Sequence, residues 1–96
     1  MYAHITTVTL APGTTKTDLL HLHDRMLAVL KTLPGFVRYY GMIDRKAATA
    51  VAITYWQTEG DLDQSSNELE RLRAGIFTDL GVLDHSFAEY EVAHHF

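Results

Sequence analysis

Two kinds of periodicity alternate along this chain in a fixed order, and that order most limits what it can fold into. Tyr2 to Leu10 is rich in β-branched and aromatic residues, which suits a strand. Pro12-Gly13 stops it, and Thr14 or Thr15 can cap the helix that follows. From Thr17 to Leu33 the residues Leu19, Leu22, Met26, Leu30 and Leu33 recur at helical spacing, and Pro34-Gly35 ends that run. A second strand is expected over Phe36 to Met42, then a polar turn at Asp44, Arg45 and Lys46, then a third strand over Thr49 to Gln57. Glu59, Gly60 and Asp61 open a second helix with Leu62, Leu69, Leu72 and Ile76 as its apolar positions. Asp79 to Asp84 reads as a loop punctuated by Gly81, and His85 to His94 as a fourth strand.

The order is β-α-β-β-α-β, the split-βαβ or ferredoxin-like unit of the α+β class. Each helix has one apolar stripe, so both must cover the same face of a four-stranded antiparallel sheet. The third strand shows that the other face is apolar too. Val51, Ile53 and Tyr55 point one way, and Ala50, Ala52, Thr54 and Trp56 the other. A sheet with two apolar faces needs a second cover, and an isologous copy of itself supplies one. A homodimer is therefore expected.

At 96 residues, 47% of them hydrophobic, the chain reads as one domain over residues 1–96 with a modest core. It has no cysteine, which excludes disulfides, thiolate metal sites and a cysteine nucleophile. The net charge of −4 without any Lys/Arg cluster argues against a nucleic-acid partner. No apolar run is long enough to span a membrane. MYAHITTVTL lacks the basic n-region and the continuous apolar stretch of a signal peptide, so a cytoplasmic location is expected.

Several short segments, in order along nearly the whole chain, resemble the antibiotic biosynthesis monooxygenase family of dimeric α+β barrels. They are Ala11-Pro12-Gly13 after the first strand, Leu33-Pro34-Gly35-Phe36 entering the second, Tyr55-Trp56-Gln57-Thr58-Glu59 leading into the second helix, and Ala88-Glu89-Tyr90-Glu91-Val92 in the last strand. The resemblance implies a homodimer with a small-molecule pocket in each subunit, between helices and sheet. In the family such pockets host cofactor-independent oxygenation of aromatic polyketides, haem degradation, or modification of small carbonyl metabolites. The haem-degrading members carry an asparagine at the position of Thr6 and a ligating histidine at that of Ser66. Thr and Ser are not credible iron ligands, so haem is not expected, nor is any other cofactor or metal.

The resemblance places Trp56 where the family has a pocket-lining tryptophan; the same residue could instead close the core between helices and sheet. At about 100° per residue His23 falls within the stripe of Leu19, Met26 and Leu30, whereas His21 falls on the solvated side. A histidine so placed can serve as a base, or can be a pocket-edge residue satisfied by a backbone carbonyl. The same count puts Arg73 and Ser66 within the stripe of Leu62, Leu69 and Ile76. Arg73 can offer its forked donors to a ligand carboxylate or enolate, or can reach out to water and pair with Glu70 or Asp79. His4 and Thr6 share a strand face. One of Tyr39 and Tyr40 must face the helices, and the sequence leaves open which. His94-His95 suggests a metal pair, but neighbours in a strand point to opposite faces, so a surface or interface role is favoured, as it is for His85.

These residues suggest an enzyme with His23 or His4 as base, Thr6, Arg73 and Ser66 as polar contacts and Trp56 as wall. An enolisable or aromatic substrate would lose a proton and give an electron directly to oxygen. The alternatives are a non-catalytic small-molecule binding or sensing protein, and an isomerase or lyase on the same scaffold.

Overall fold

The computed structural model describes residues 1–94. Its element order is the expected one: β1 (Tyr2–Thr9), α1 (Lys16–Leu30), β2 (Phe36–Asp44), β3 (Thr49–Trp56), α2 (Glu59–Leu80) and β4 (Asp84–Glu91). The strands form one sheet in the order β2-β3-β1-β4, and every neighbouring pair is antiparallel. This is the ferredoxin-like arrangement, with both long crossovers made by helices on one face.

Local chemistry sets the boundaries. Thr15, rather than Thr14, caps α1. Its hydroxyl accepts from the Asp18 amide while the Asp18 carboxylate accepts from the Thr15 amide, a reciprocal capping box. The helix stops at Leu30, three residues earlier than the apolar spacing predicts. Pro34 disfavours helical backbone at Leu33, and the chain tightens beforehand through Thr32 N–H to the Val29 carbonyl and Leu33 N–H to the Leu30 carbonyl. Thr58 caps α2 through the Asp61 amide. The helix runs to Leu80, where Gly81 takes the left-handed conformation (φ 63°) that terminates it, so the loop begins later than its composition suggests. β4 ends at Glu91, short of the expected His94.

Around Trp56 the space between helices and sheet is solidly filled. Trp56 and Leu30 are fully buried, and Met26, Leu62, Leu69 and Ile76 close around them. The Phe36 ring meets the Trp56 indole edge-on, centroids 5.7 Å apart. The far sheet face is left open in the single chain. Tyr40, Met42 and Tyr90 on it are exposed, each about half or more, and Tyr40 packs edge-on against Tyr55 across the strands.

Candidate functional site

Side-chain size along β3 creates a cavity. Its helix-facing residues run Ala50, Ala52, Thr54, Trp56, from smallest to largest. At the Trp56 end the layer is packed shut. At the alanine end, where Ala52 lies beside Gly41 of β2, the floor has almost no side chain to fill the gap under the helices. The resulting cavity has about 590 Å³ of atom-free space with its open mouth included, of which about 50 Å³ admits the centres of water molecules. That is a slim apolar slot. Leu19, Leu22 and Met26 of α1 form one wall, and Ile76, Phe77 and Leu80 of α2 another.

Four of the lining residues have polar side chains, Thr6, His23, Tyr39 and Arg73. None of the lining residues is acidic. Thr6 comes from β1, where it is buried on the helix-facing side. His23 comes from α1 and is half-buried. Its ring lies directly over Gly41, and a Cβ at that position would run into the imidazole. The missing side chain at residue 41 is therefore what lets His23 reach down to the sheet. Tyr39 meets the same ring edge-on, centroids 5.0 Å apart and planes 68° apart. Burial pushes the Tyr39 phenol up to about 12, so it stays protonated and can donate.

The choice between Tyr39 and Tyr40 is settled by a bulge. Phe36 pairs with Trp56 and Arg38 with Tyr55, so Val37 is an extra residue on β2. Strict alternation from Phe36 would have turned Tyr40 inward. The extra residue shifts the parity by one, which sends Tyr39 and Gly41 to the cavity and Tyr40 to the open face. Gly41 was not among the residues singled out from the sequence. Without the bulge its parity was unreadable, and a lone glycine in a strand signals only some close approach.

Arg73 enters from α2. Its Nε donates to the Leu69 carbonyl at 3.3 Å and its Nη1 to His4 Nε2 at 3.1 Å, and its Cζ stands 4.5 Å from the centre of the Phe87 ring. The expected pairing with Glu70 or Asp79 is not made. Asp79 is taken by Arg25 at 2.6 Å in a bridge between the two helices. Desolvation lowers the Arg73 pKa, partly offset by the fields of Glu70 and Glu89.

His4 sits behind Arg73 rather than in the cavity lining. It is 8% exposed, and burial, reinforced by the adjacent guanidinium, holds its pKa down to about 4. An imidazole that neutral and already accepting from Arg73 has little capacity to take a proton from a substrate near neutral pH.

The structure thus brings His23, Thr6 and Arg73 together at one cavity and leaves Trp56 and Ser66 out of its lining. Trp56 is fully buried, and its indole N–H is spent on the Thr54 hydroxyl at 3.0 Å. The reason is position: Trp56 lies four residues along β3 from Ala52 and packs with Met26 and Leu30 of α1. Ser66 turns its hydroxyl back to the Asp63 carbonyl at 2.8 Å on the exposed side, and Ser65 takes the buried place on the stripe. Thr6 and a half-buried Ser66 whose hydroxyl is bonded to the Asp63 carbonyl do not fit a haem-iron site. Among the described residues no three His, Asp or Glu side chains converge as a metal-binding group. His85 stacks between Phe77 and Phe87 at the edge of the sheet, and His95 lies outside the described residues.

No protein-family model matches the chain, and no curated protein does. Solved structures do match over nearly all of it. SnoaB, a cofactor-independent oxygenase from Streptomyces nogalater, is 16% identical with a TM-score of 0.76, covering 98% of this chain and 94% of its own. A monooxygenase from the gene ActVA-Orf6 of Streptomyces coelicolor, solved with the ligand nanaomycin D, is 13% identical with a TM-score of 0.76, covering 99% and 89%. PA3566 from Pseudomonas aeruginosa is 21% identical with a TM-score of 0.69, covering 96% and 94%. The chain has the ferredoxin-like α+β fold that these structures share.

Proposed function

We propose that this protein is a cofactor-independent, monooxygenase-like enzyme acting on a small aromatic or enolisable carbonyl compound held between its helices and sheet. One observation carries the reading: His23 and Arg73 both reach the lining of an apolar cavity that contains no carboxylate. A base and a cationic donor in a largely dry slot are what proton removal next to a carbonyl requires. SnoaB and the ActVA-Orf6 protein, which have this fold, are respectively a cofactor-independent oxygenase and a monooxygenase.

In this reading His23 takes the proton, and Thr6, Tyr39 and Arg73 hold the enolate oxygen. The carbanion gives an electron to oxygen, and the radical pair combines at carbon. When the carbon is a methylene, loss of its two hydrogens as water leaves one oxygen atom behind as a carbonyl, so a single O2 balances the reaction. His4 positions Arg73 and does not act as the base. The protein works as a homodimer whose open sheet faces, bearing Tyr40, Met42 and Tyr90, cover one another.

Oxygen uptake with a panel of quinols and enolisable ketones tests the proposal. Uptake dependent on the protein, with product oxygen derived from O2, is the expected result. Saturable binding without uptake favours a non-catalytic binding protein, and proton exchange or isomerisation without uptake favours an isomerase or lyase.

A further inference from the structure

β2 is an exposed edge of the sheet. It lies outermost in the order β2-β3-β1-β4, and only Phe36 and Tyr39 along it are not exposed. The outward N–H and C=O groups of an edge strand can take up a further strand, and proteins often blunt such edges with proline or lysine. β2 has neither, and its only charges are Arg38 and Asp44. Neither of these forms an ion pair among the described residues. Arg38 lies over the Tyr40 ring and donates to its hydroxyl, and the Asp44 carboxylate accepts from the amides of Lys46 and Ala47.

The strand is complementary to itself. The bulge at Val37 interrupts its start, so its regular part is Arg38–Asp44, with Gly41 at the midpoint. Laid antiparallel on a copy of itself about Gly41, it sets Arg38 opposite the partner's Asp44 and Tyr40 opposite the partner's Met42. All four belong to the open face, where directly opposed side chains meet. Two arginine–carboxylate pairs then flank two aromatic–methionine pairs. Sliding the register by two residues either way loses both ion pairs and shortens the overlap.

We infer that β2 pairs edge to edge with β2 of a second copy, antiparallel and centred on Gly41, held by Arg38 of each subunit on the partner's Asp44. The pairing also completes the cavity. The exposed residues of its lining are Gly41, Met42 and Ile43, all on this edge. A strand added about 4.8 Å beyond them brings the partner's Ile43 beside Tyr39 on the cavity face and closes that side. This goes beyond the face-to-face cover proposed above, because it joins sheet edges and stands whether or not the open faces meet.

Sedimentation of the intact protein at low salt tests it. The wild type is expected to dimerise, and Arg38→Glu to weaken the dimer about tenfold or more, because two attractions become two repulsions. Mixing Arg38→Glu with Asp44→Lys should restore the dimer as a heterodimer, since every opposed pair then carries unlike charges. A monomeric wild type, an undiminished Arg38→Glu dimer, or a mixture that associates no better than either variant alone overturns the inference. Asp44 also holds the turn, so disulfide cross-linking decides if Asp44→Lys fails to fold. The chain has no cysteine, and Tyr40→Cys should cross-link to Met42→Cys in a mixture; no cross-link overturns the pairing. Tyr90→Glu on β4 probes the face-to-face cover alone. A dimer lost in Tyr90→Glu but kept in Arg38→Glu removes this inference and leaves that cover standing, and the opposite result does the reverse.

Discussion

Arg73 Nη1 donates to His4 Nε2 across 3.1 Å, which requires His4 to be neutral and to keep its ring proton on Nδ1. The folded pKa of His4, about 4, lies below its ordinary value of 6.5, so between these values the unfolded chain binds a proton that the folded chain refuses. Its contribution to stability is therefore complete above pH 6.5 and is lost as the pH falls towards 4. The loss amounts to about 3 kcal/mol at most. Urea midpoints at pH 7 and pH 4.5 should differ more for the wild type than for His4→Gln, whose amide oxygen can accept from Arg73 without titrating. Equal midpoint differences in the two proteins would show that the Arg73–His4 bond is not maintained in solution.

Gly41 and His23 are predicted to be coupled. A methyl group at residue 41 must push the imidazole off the sheet, so Gly41→Ala should destabilise by about 1–3 kcal/mol through overpacking. In a His23→Ala background that penalty should disappear, and alanine should be neutral or slightly stabilising in the strand. A double-mutant cycle by urea unfolding measures the coupling; a cycle that sums to zero would place the His23 ring elsewhere. Any ligand whose binding needs His23 over the sheet should be weakened in Gly41→Ala.

Trp56 should behave as a core residue. Trp56→Ala removes a fully buried side chain and should cost about 3–5 kcal/mol. Trp56→Phe loses the indole bond to Thr54 and some volume, and should cost less while leaving the affinity of the cavity for a ligand within about twofold. Chemical denaturation and ligand titration of Trp56→Phe separate the two roles. A large affinity loss with little loss of stability would make Trp56 a ligand wall.

Particular residues show how much of this was legible in the sequence. The two helices and four strands follow from spacing, because an apolar stripe at period 3.6 or an alternation at period 2 reflects a burial that the fold cannot avoid. Thr15 and Gly81 mark helix ends through chemistry local to a few residues. His23 and Arg73 were placed on the inner faces of their helices by angle alone, and both line the cavity. Ser66 is half-buried but lies outside the cavity lining, and Ser65 beside it takes the fully buried place. The inward Tyr39 was hidden by the Val37 bulge, a register shift that depends on pairing with β3 and has no signature in β2 itself. The cavity as a whole arises from Ala50, Ala52 and Gly41 lying side by side across two strands, a coincidence of small residues that only the register creates.

The central claim is that His23, held over Gly41, removes a proton from a ligand in this cavity so that oxygen can react with it. The most direct measurement is oxygen consumption by wild type and by His23→Gln on the quinol or ketone that the wild type turns over fastest, with folding of both checked by thermal melts. The wild type is predicted to consume oxygen, and His23→Gln to lose at least about 100-fold in rate, the usual contribution of a positioned base, with its melting temperature nearly unchanged. Undiminished oxygen consumption by a folded His23→Gln, or none by the wild type with any substrate of the panel, would contradict the account.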